Sequence, residues 1–225
     1  MMIRVLFEDE YLIAAEKPSG IPTQQTVDKK RPDFFSQLKN EISLREASLT
    51  YLGLHHRLDV GTSGIILFSK VKFANKHIAK LFNERKIKKT YLAITDVQEC
   101  PNNWEVKNYL AEYKDHKDKK MKMRSVKSGG LPAHTLFKKI EALKRGLLIQ
   151  AEPQTGRMHQ IRVHLAEAKM GIFGDDLYPH PNAPLAPRLM LHALKLEFNH
   201  PFSHRPISIE CPPPPEMLDF KSRLC

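Results

Sequence analysis

The chain opens with two short apolar runs, Val5 to Phe7 and Tyr11 to Ala15, set around the acidic triplet Glu8-Asp9-Glu10. That pattern predicts two strands joined by a turn. Lys17-Pro18-Ser19-Gly20 closes the second strand, because Pro removes a ladder donor and Gly suits a turn. Gln24 to Thr50 is polar and predicts one helix, roughly Asp33 to Leu44. Ile65 to Phe68 is a continuous apolar run, which predicts a buried strand. Phe73 to Phe82 has helical period: Phe73, Ala74, His77, Ile78, Leu81 and Phe82 share a face, with Lys72, Lys76 and Lys80 largely elsewhere. Further strands are expected over Thr90 to Ile94, Trp104 to Tyr113, Thr135 to Ile140, Gly146 to Ala151, Met190 to Phe198 and Ile207 to Cys211. Met158 to Ala168 fits both periods in part, and helix is preferred because at least two full turns lead to Gly171. Pro212 to Pro215 cannot donate to a ladder and should end the sheet. With no repeat, inter-domain linker or low-complexity tail, residues 1–225 are expected to form one mixed α and β domain.

One segment breaks the pattern. Between His116 and Lys127 stand Lys117, Lys119, Lys120, Lys122, Arg124 and Lys127 against a single acid, Asp118, and Gly129-Gly130 follows. A basic hairpin or loop fits this better than a core element. It can serve as a solvated loop or as an arm that grips phosphates.

Charge sharpens the picture. Lys and Arg number 36 against 25 Asp and Glu, a net charge of +11, which favours polyanionic partners through steering and counterion release. Arg4, Glu8, Asp9 and Glu10 interrupt the N-terminal apolar stretches, so neither a signal peptide nor a membrane span can be built there. Cys100, Cys211 and Cys225 are odd in number and far apart, which points to a reducing, cytoplasmic setting rather than to disulfides or a thiolate metal site.

Most standard chemistry motifs are missing. Gly61, Ser63 and Gly64 spell neither a dinucleotide nor a Walker A loop; there is no H-E-x-x-H and no G-x-S-x-G elbow; the histidines do not combine with Cys100 or Cys211 at metal-ligand spacing. Two unusual clusters remain. The first is His55-His56-Arg57-Leu58-Asp59-Val60-Gly61-Thr62-Ser63-Gly64, directly before the buried strand. The second is Gln154-Thr155-Gly156-Arg157-Met158-His159-Gln160-Ile161-Arg162-Val163-His164. From the residues alone, pairing the carboxylate with an arginine would keep it ionised for chemistry. A structural salt bridge beside a solvated turn accounts for them as well.

At these residues the chain resembles the RluA-type family of RNA pseudouridine synthases. The resemblance rests on His56-Arg57-Leu58-Asp59 continuing as Val60-Gly61-Thr62-Ser63-Gly64, and on Glu16-Lys17-Pro18-Ser19-Gly20 near the start. Lys89-Thr90-Tyr91-Leu92-Ala93, Thr155 to His164, and the closing Gly174-Asp175, Tyr178, Pro187 to Ala193 and His200-Pro201 extend it from about Ile3 to Pro212. Leu131 and Met158 depart from it, standing where relatives often carry Lys and Thr or Ser.

The resemblance implies an α+β pseudouridine synthase fold: a bent, mostly antiparallel mixed sheet with flanking helices and a central RNA-binding cleft. It implies that Asp59 is the catalytic carboxylate, Tyr91 the ring that stacks on the target base, and Arg162 the partner that keeps the carboxylate ionised and aimed. Arg57 would enter the space left by the flipped nucleotide, with Arg157 and His159 as supporting residues. No cofactor is expected, because the isomerisation gains and loses no atoms. The first motif begins within ten residues of Met1, so the expectation is a catalytic domain without an N-terminal RNA-binding domain. RNA contact would then fall to residues 70–89 and 116–127. The expected partner is a stem-loop of tRNA or large-subunit rRNA, bound by a monomer that needs no protein partner and no membrane. The tracts Gly174 to Pro181 and Ala186 to Ala193 favour that substrate.

Two other classes compete. A retaining glycosidase wants a second carboxylate about 5–5.5 Å from the first, and none is obviously paired with Asp59. A non-catalytic RNA-binding module would need the basic surface but not Asp59.

Overall fold

A computed structural model describes residues 3–45, 51–116, 119–179 and 186–225. In chain order the elements are β1 (Val5–Glu8), β2 (Leu12–Lys17), α1 (Phe34–Arg45), β3 (Gly53–Leu54), β4 (Ser63–Ser69), a 3-10 turn (Lys72–Ala74) running into α2 (Asn75–Asn83), and β5 (Lys88–Thr95). There follow β6 (Asn103–Lys114), β7 (Met121–Val126), β8 (Leu131–Leu143), β9 (Gly146–Pro153), α3 (Gln160–Glu167), β10 (Leu191–Asn199), β11 (Pro206–Glu210) and α4 (Pro215–Leu224). They divide into two compact units, Met1–Lys88 with Ala193–Pro212 and Lys89–His192 with Pro213–Cys225.

In the first unit β2 pairs antiparallel with β1 and with β4, the latter in register from Leu12 opposite Ser69 to Lys17 opposite Gly64. All seven residues of β4 are buried, which is why its sequence reads as an unbroken apolar run. Ile65 and Leu67 pack with Leu12, Ala14, Ile78 and Leu196. The other face of β4 carries Phe68 toward Phe34 and Phe35, at or beside the start of α1, with ring centroids 6.2 Å away in each case. Phe34, Leu38 and Ile42 recur every fourth residue and are the buried stripe of α1. Asp33 caps that helix, accepting a 2.9 Å hydrogen bond from the Ser36 amide.

The second unit runs β5-β9-β8-β6-β7, each pair antiparallel. Lys114 opposite Met121 closes the β6–β7 hairpin, so the basic segment forms the hairpin that its composition predicts. Lys117 and Asp118 of this segment lie outside the described residues, as do His180 and Pro181 of the later tract. The segment of mixed period is helical, as α3.

The pattern of the sequence predicts neither the short β3 nor the last helix. The proline run ends the sheet but also starts α4, with Pro215 in the first turn, where a missing amide costs no helical hydrogen bond. Met217, Phe220 and Leu224 are its buried stripe, and Phe220 meets Phe173 edge-on at 5.2 Å. Among the described residues no helix is long and apolar enough to cross a membrane.

Candidate active site

Asp59 is half-buried on the turn that leads into β4. Its carbonyl accepts from the Thr62 amide at 3.1 Å, and the backbone around it is held from four directions. Thr23 grips Leu58 at both ends: its hydroxyl donates to the Leu58 carbonyl at 2.8 Å and accepts from the Leu58 amide at 3.1 Å. Ser19 donates to the Gly61 carbonyl at 2.7 Å, and the Gly20 amide donates to the Val60 carbonyl at 2.8 Å. Lys17 is fully buried and its Nζ donates to the carbonyls of Pro18 and Ile21 at 2.8 Å each and of Val60 at 3.3 Å. A buried ammonium is tolerable only with such acceptors. Lys17-Pro18-Ser19-Gly20 therefore does more than close β2; it is the platform under the Asp59 turn. Gly64 ends the turn at φ +117°, and a Cβ there would lie 2.2 Å from the Ala193 carbonyl oxygen, so only glycine fits.

The residues just before Asp59 divide by role. His56 accepts from the Leu67 amide through Nε2 at 2.9 Å and its ring lies 4.8 Å from Phe82, so it fastens the turn to β4. His55 shares a 3.0 Å hydrogen bond with Ser69, and burial lowers its pKa. Arg57, between them and the turn, is exposed.

In the second unit the cluster from Thr155 to His164 wraps the start of α3. His159 precedes the helix in the left-handed region, at φ 53° and ψ 17°. Gln160 is buried and accepts from the Thr155 hydroxyl at 2.7 Å and the Arg157 amide at 3.0 Å. Its amide group donates to the His134 carbonyl and the Thr135 hydroxyl, which ties the turn to β8. Arg157 donates from Nε to the Pro132 carbonyl at 3.0 Å.

Arg162 is buried and grips Asp175 with two parallel bonds, Nε to Oδ2 at 2.7 Å and NH2 to Oδ1 at 2.6 Å. Asp176 lies 3.5 Å from the same NH2 nitrogen. Asp175 also accepts from the amides of Leu177 and Tyr178 at 3.0 and 2.9 Å. The guanidinium carbon lies 5.4 Å from the centre of the Tyr178 ring. The Tyr178 hydroxyl accepts from the Met123 amide of β7 at 2.7 Å and meets His159 Nδ1 at 3.0 Å; burial pushes its pKa up to about 12. Asp175 and Tyr178 were visible in the sequence only as members of a motif. Their partnership with Arg162 crosses a gap that no local periodicity marks.

Tyr91 stands half-buried on β5, opposite Ala151 of β9. Of the basic hairpin, Lys119, Lys120, Arg124 and Lys127 are exposed. Lys120 reaches Asp176 at 3.0 Å, and Arg124 lies over the Tyr113 ring at 5.2 Å. Lys122 is different: it is buried against Asp115 at 2.7 Å and braces the hairpin from within. Arg162, His159 and strand β7 are thus joined through Asp175 and Tyr178. Asp59 and Arg57 belong to the other unit.

His164 gives this region a pH signature. It is buried between the Thr135 hydroxyl and the Asn108 side chain, each 3.0 Å away, and burial, aided by His134, lowers its pKa to about 4. The folded state therefore binds a proton less readily than the unfolded chain. The stability tied to neutral His164 is fully present above the ordinary histidine value of about 6.5, and is lost as pH falls from there toward 4. Urea midpoints of the parent should fall more steeply over that window than those of His164→Asn. Identical slopes would show that His164 titrates normally.

The family model described as RNA pseudouridylate synthase matches residues 11–167. Ribosomal large subunit pseudouridine synthase C of Vibrio vulnificus (strain CMCP6) is 34% identical over 214 residues, covering 92% of this chain and 65% of that protein. Dual-specificity RNA pseudouridine synthase RluA of Pasteurella multocida (strain Pm70) is 30% identical over 216 residues, covering 93% and 92%. Against several of these relatives the chain spans just under two thirds of their length, 62 to 65%. Human RNA Pseudouridylate Synthase Domain Containing 4 superposes with a TM-score of 0.81 at 24% identity, covering 98% of this chain and 92% of that one, a likeness of fold.

Proposed function

Because this chain belongs to the RNA pseudouridylate synthase family, we propose that it isomerises uridine to pseudouridine in structured RNA with Asp59 as its catalytic carboxylate. The observation that carries the proposal is the Asp59 turn itself, a half-buried carboxylate whose backbone is immobilised by Lys17, Ser19, Thr23 and Gly64. A preorganised carboxylate suits covalent or charge-stabilising chemistry at a sugar carbon.

In the reaction the N1–C1′ bond breaks, the uracil turns, and C5 bonds to C1′. The proton lost from C5 balances the one gained at N1, so the step needs no oxidant or reductant. Asp59 acts as nucleophile or charge partner. Tyr91 stacks on the base, and a flat ring tolerates a base that must rotate. Arg162, gripped by Asp175, supplies a buried cation to the reaction. Arg57 fills the space of the extruded nucleotide, whose removal from the stack costs a few kcal/mol. The exposed hairpin cations, with Arg157 and His159 in support, hold phosphates, and residues 1–225 work as one catalytic domain.

For substrate, we read a stem-loop of tRNA or large-subunit rRNA, where a loosely stacked uridine is easiest to flip. The name of one relative, a ribosomal large subunit synthase, supports the rRNA choice, and that of the other, a dual-specificity RNA synthase, supports more than one RNA substrate. RNA carrying 5-tritiated uridine, prepared from cells lacking the gene, should release tritium on incubation with the protein, and sequencing should place the new pseudouridine in a loop. No tritium release rejects the chemistry. A new site only within a long regular duplex rejects the stem-loop alone.

Tyr91 separates stacking from hydroxyl chemistry. Tyr91→Phe should bind RNA as the parent does but react more slowly. Tyr91→Ala should weaken binding by roughly 1–3 kcal/mol, the worth of one base stacked on a ring. Equal binding by all three proteins would place Tyr91 outside the site.

A further inference from the structure

Among the described residues strand β7 is at the edge of its unit's sheet and pairs only with β6 there. Its Met123 and Ser125 amides donate to side chains rather than to another strand. Met123 donates to the Tyr178 hydroxyl at 2.7 Å and Ser125 to Glu167 Oε1, on α3, at 2.8 Å. A third attachment is the 3.0 Å pair between Lys120 and Asp176. The short segment Gly174 to Tyr178 thus holds the basic hairpin at two points while Asp175, in the same segment, holds Arg162. The segment has little freedom. Gly174 sits at φ +74°, where a Cβ would lie 2.0 Å from the Arg188 carbonyl oxygen, and the Tyr178 amide is tied back to Asp175.

We propose that Tyr178 is a positioning residue that couples the hairpin's hold on RNA phosphates to the placement of Arg162, an inference that rests on the function proposed above. Its ring lies beside the Arg162 guanidinium, and its hydroxyl joins β7 to His159 at the start of α3. A shift of β7 under load from bound phosphates pulls on that hydroxyl, and the ring carries the shift to Arg162. A tether that served only to cover an edge strand would have no reason to lie against the cation.

The test is a double-mutant cycle read by single-turnover tritium release from 5-tritiated total RNA of a strain lacking the gene, with enzyme in excess. Tyr178→Phe keeps the ring and removes both hydroxyl bonds. It should lower the rate at saturating enzyme about tenfold while moving half-saturation by less than about threefold, the scale set by one hydrogen bond to a buried donor. Changing Lys119, Lys120, Arg124 and Lys127 to Gln should weaken half-saturation in either background, but should lower the saturating rate only where Tyr178 is intact. Independent, multiplying effects on the saturating rate overturn the proposal. If Tyr178→Phe does not fold, Met123→Pro, which removes the edge-strand amide that donates to the Tyr178 hydroxyl and leaves Tyr178 in place, substitutes for it in the cycle, and the same two outcomes decide. A parent protein that releases no tritium overturns the function and this inference together. A parent that does, with independent effects, overturns this inference alone.

Discussion

Asp59→Asn should abolish tritium release while leaving the protein folded and bound to RNA. Asn has the shape of Asp and lacks only the charge. The turn that carries it is held by backbone bonds to Lys17, Ser19, Thr23 and Gly20, none of which uses the Asp59 side chain. Removing an essential nucleophile or charge partner costs at least about a thousandfold in rate. RNA affinity should stay within a few-fold, since it comes mainly from cations and stacking. Asp59→Ala should behave alike. Activity in either protein comparable to the parent would remove Asp59 from the chemistry and leave the family fold without its proposed catalytic group.

Arg162 carries the second large effect, on stability and rate together. Arg162→Ala leaves the Asp175 carboxylate buried with two amide donors and without the fork that met both of its oxygens. Breaking a buried pair from one side costs about 3–5 kcal/mol. Urea unfolding should show that loss, and tritium release should disappear. The combination Arg162→Met with Asp175→Asn separates the two consequences. It removes both charges, and the new side-chain carbonyl still accepts from the Leu177 and Tyr178 amides. Much of the stability should return, because the double variant buries no charge and escapes the desolvation penalty of an unpaired ion. Activity should not return, because the cation is still missing. An active double variant would reduce Arg162 to a structural residue, and an Arg162→Ala protein as stable as the parent would contradict the burial of the pair.

The first cluster was legible in the sequence because glycine, the carboxylate and the apolar strand stand side by side. Gly64 and Asp59 are five positions apart, and β4 begins with the closing residues of the motif. What holds the turn was not legible. Lys17 reaches Val60 across 43 positions, and Thr23 reaches Leu58 across 35. A lysine after an apolar strand reads as a solvated charge, since burying one is costly unless acceptors converge on it. The same limit hid the inner role of Lys122, which composition grouped with the exposed cations of its hairpin although it is buried against Asp115. It also hid α4, where four prolines masked a helix whose buried residues are Met217, Phe220 and Leu224.

By itself the sequence determined the strands and helices with strong period, the basic hairpin, the family, and the residues expected to carry the chemistry. Each of these depends on neighbours within one or two turns of chain, or on motifs that survive as strings. The tertiary structure decided which charges are buried and whom they meet. Arg162 takes Asp175, Met123 takes Tyr178 from 55 positions away, and Lys17 takes the carbonyls beneath Asp59. The physical reason is desolvation. The favourable partner for a buried polar group is whatever the fold brings within about 3 Å, and that is a property of packing rather than of sequence distance.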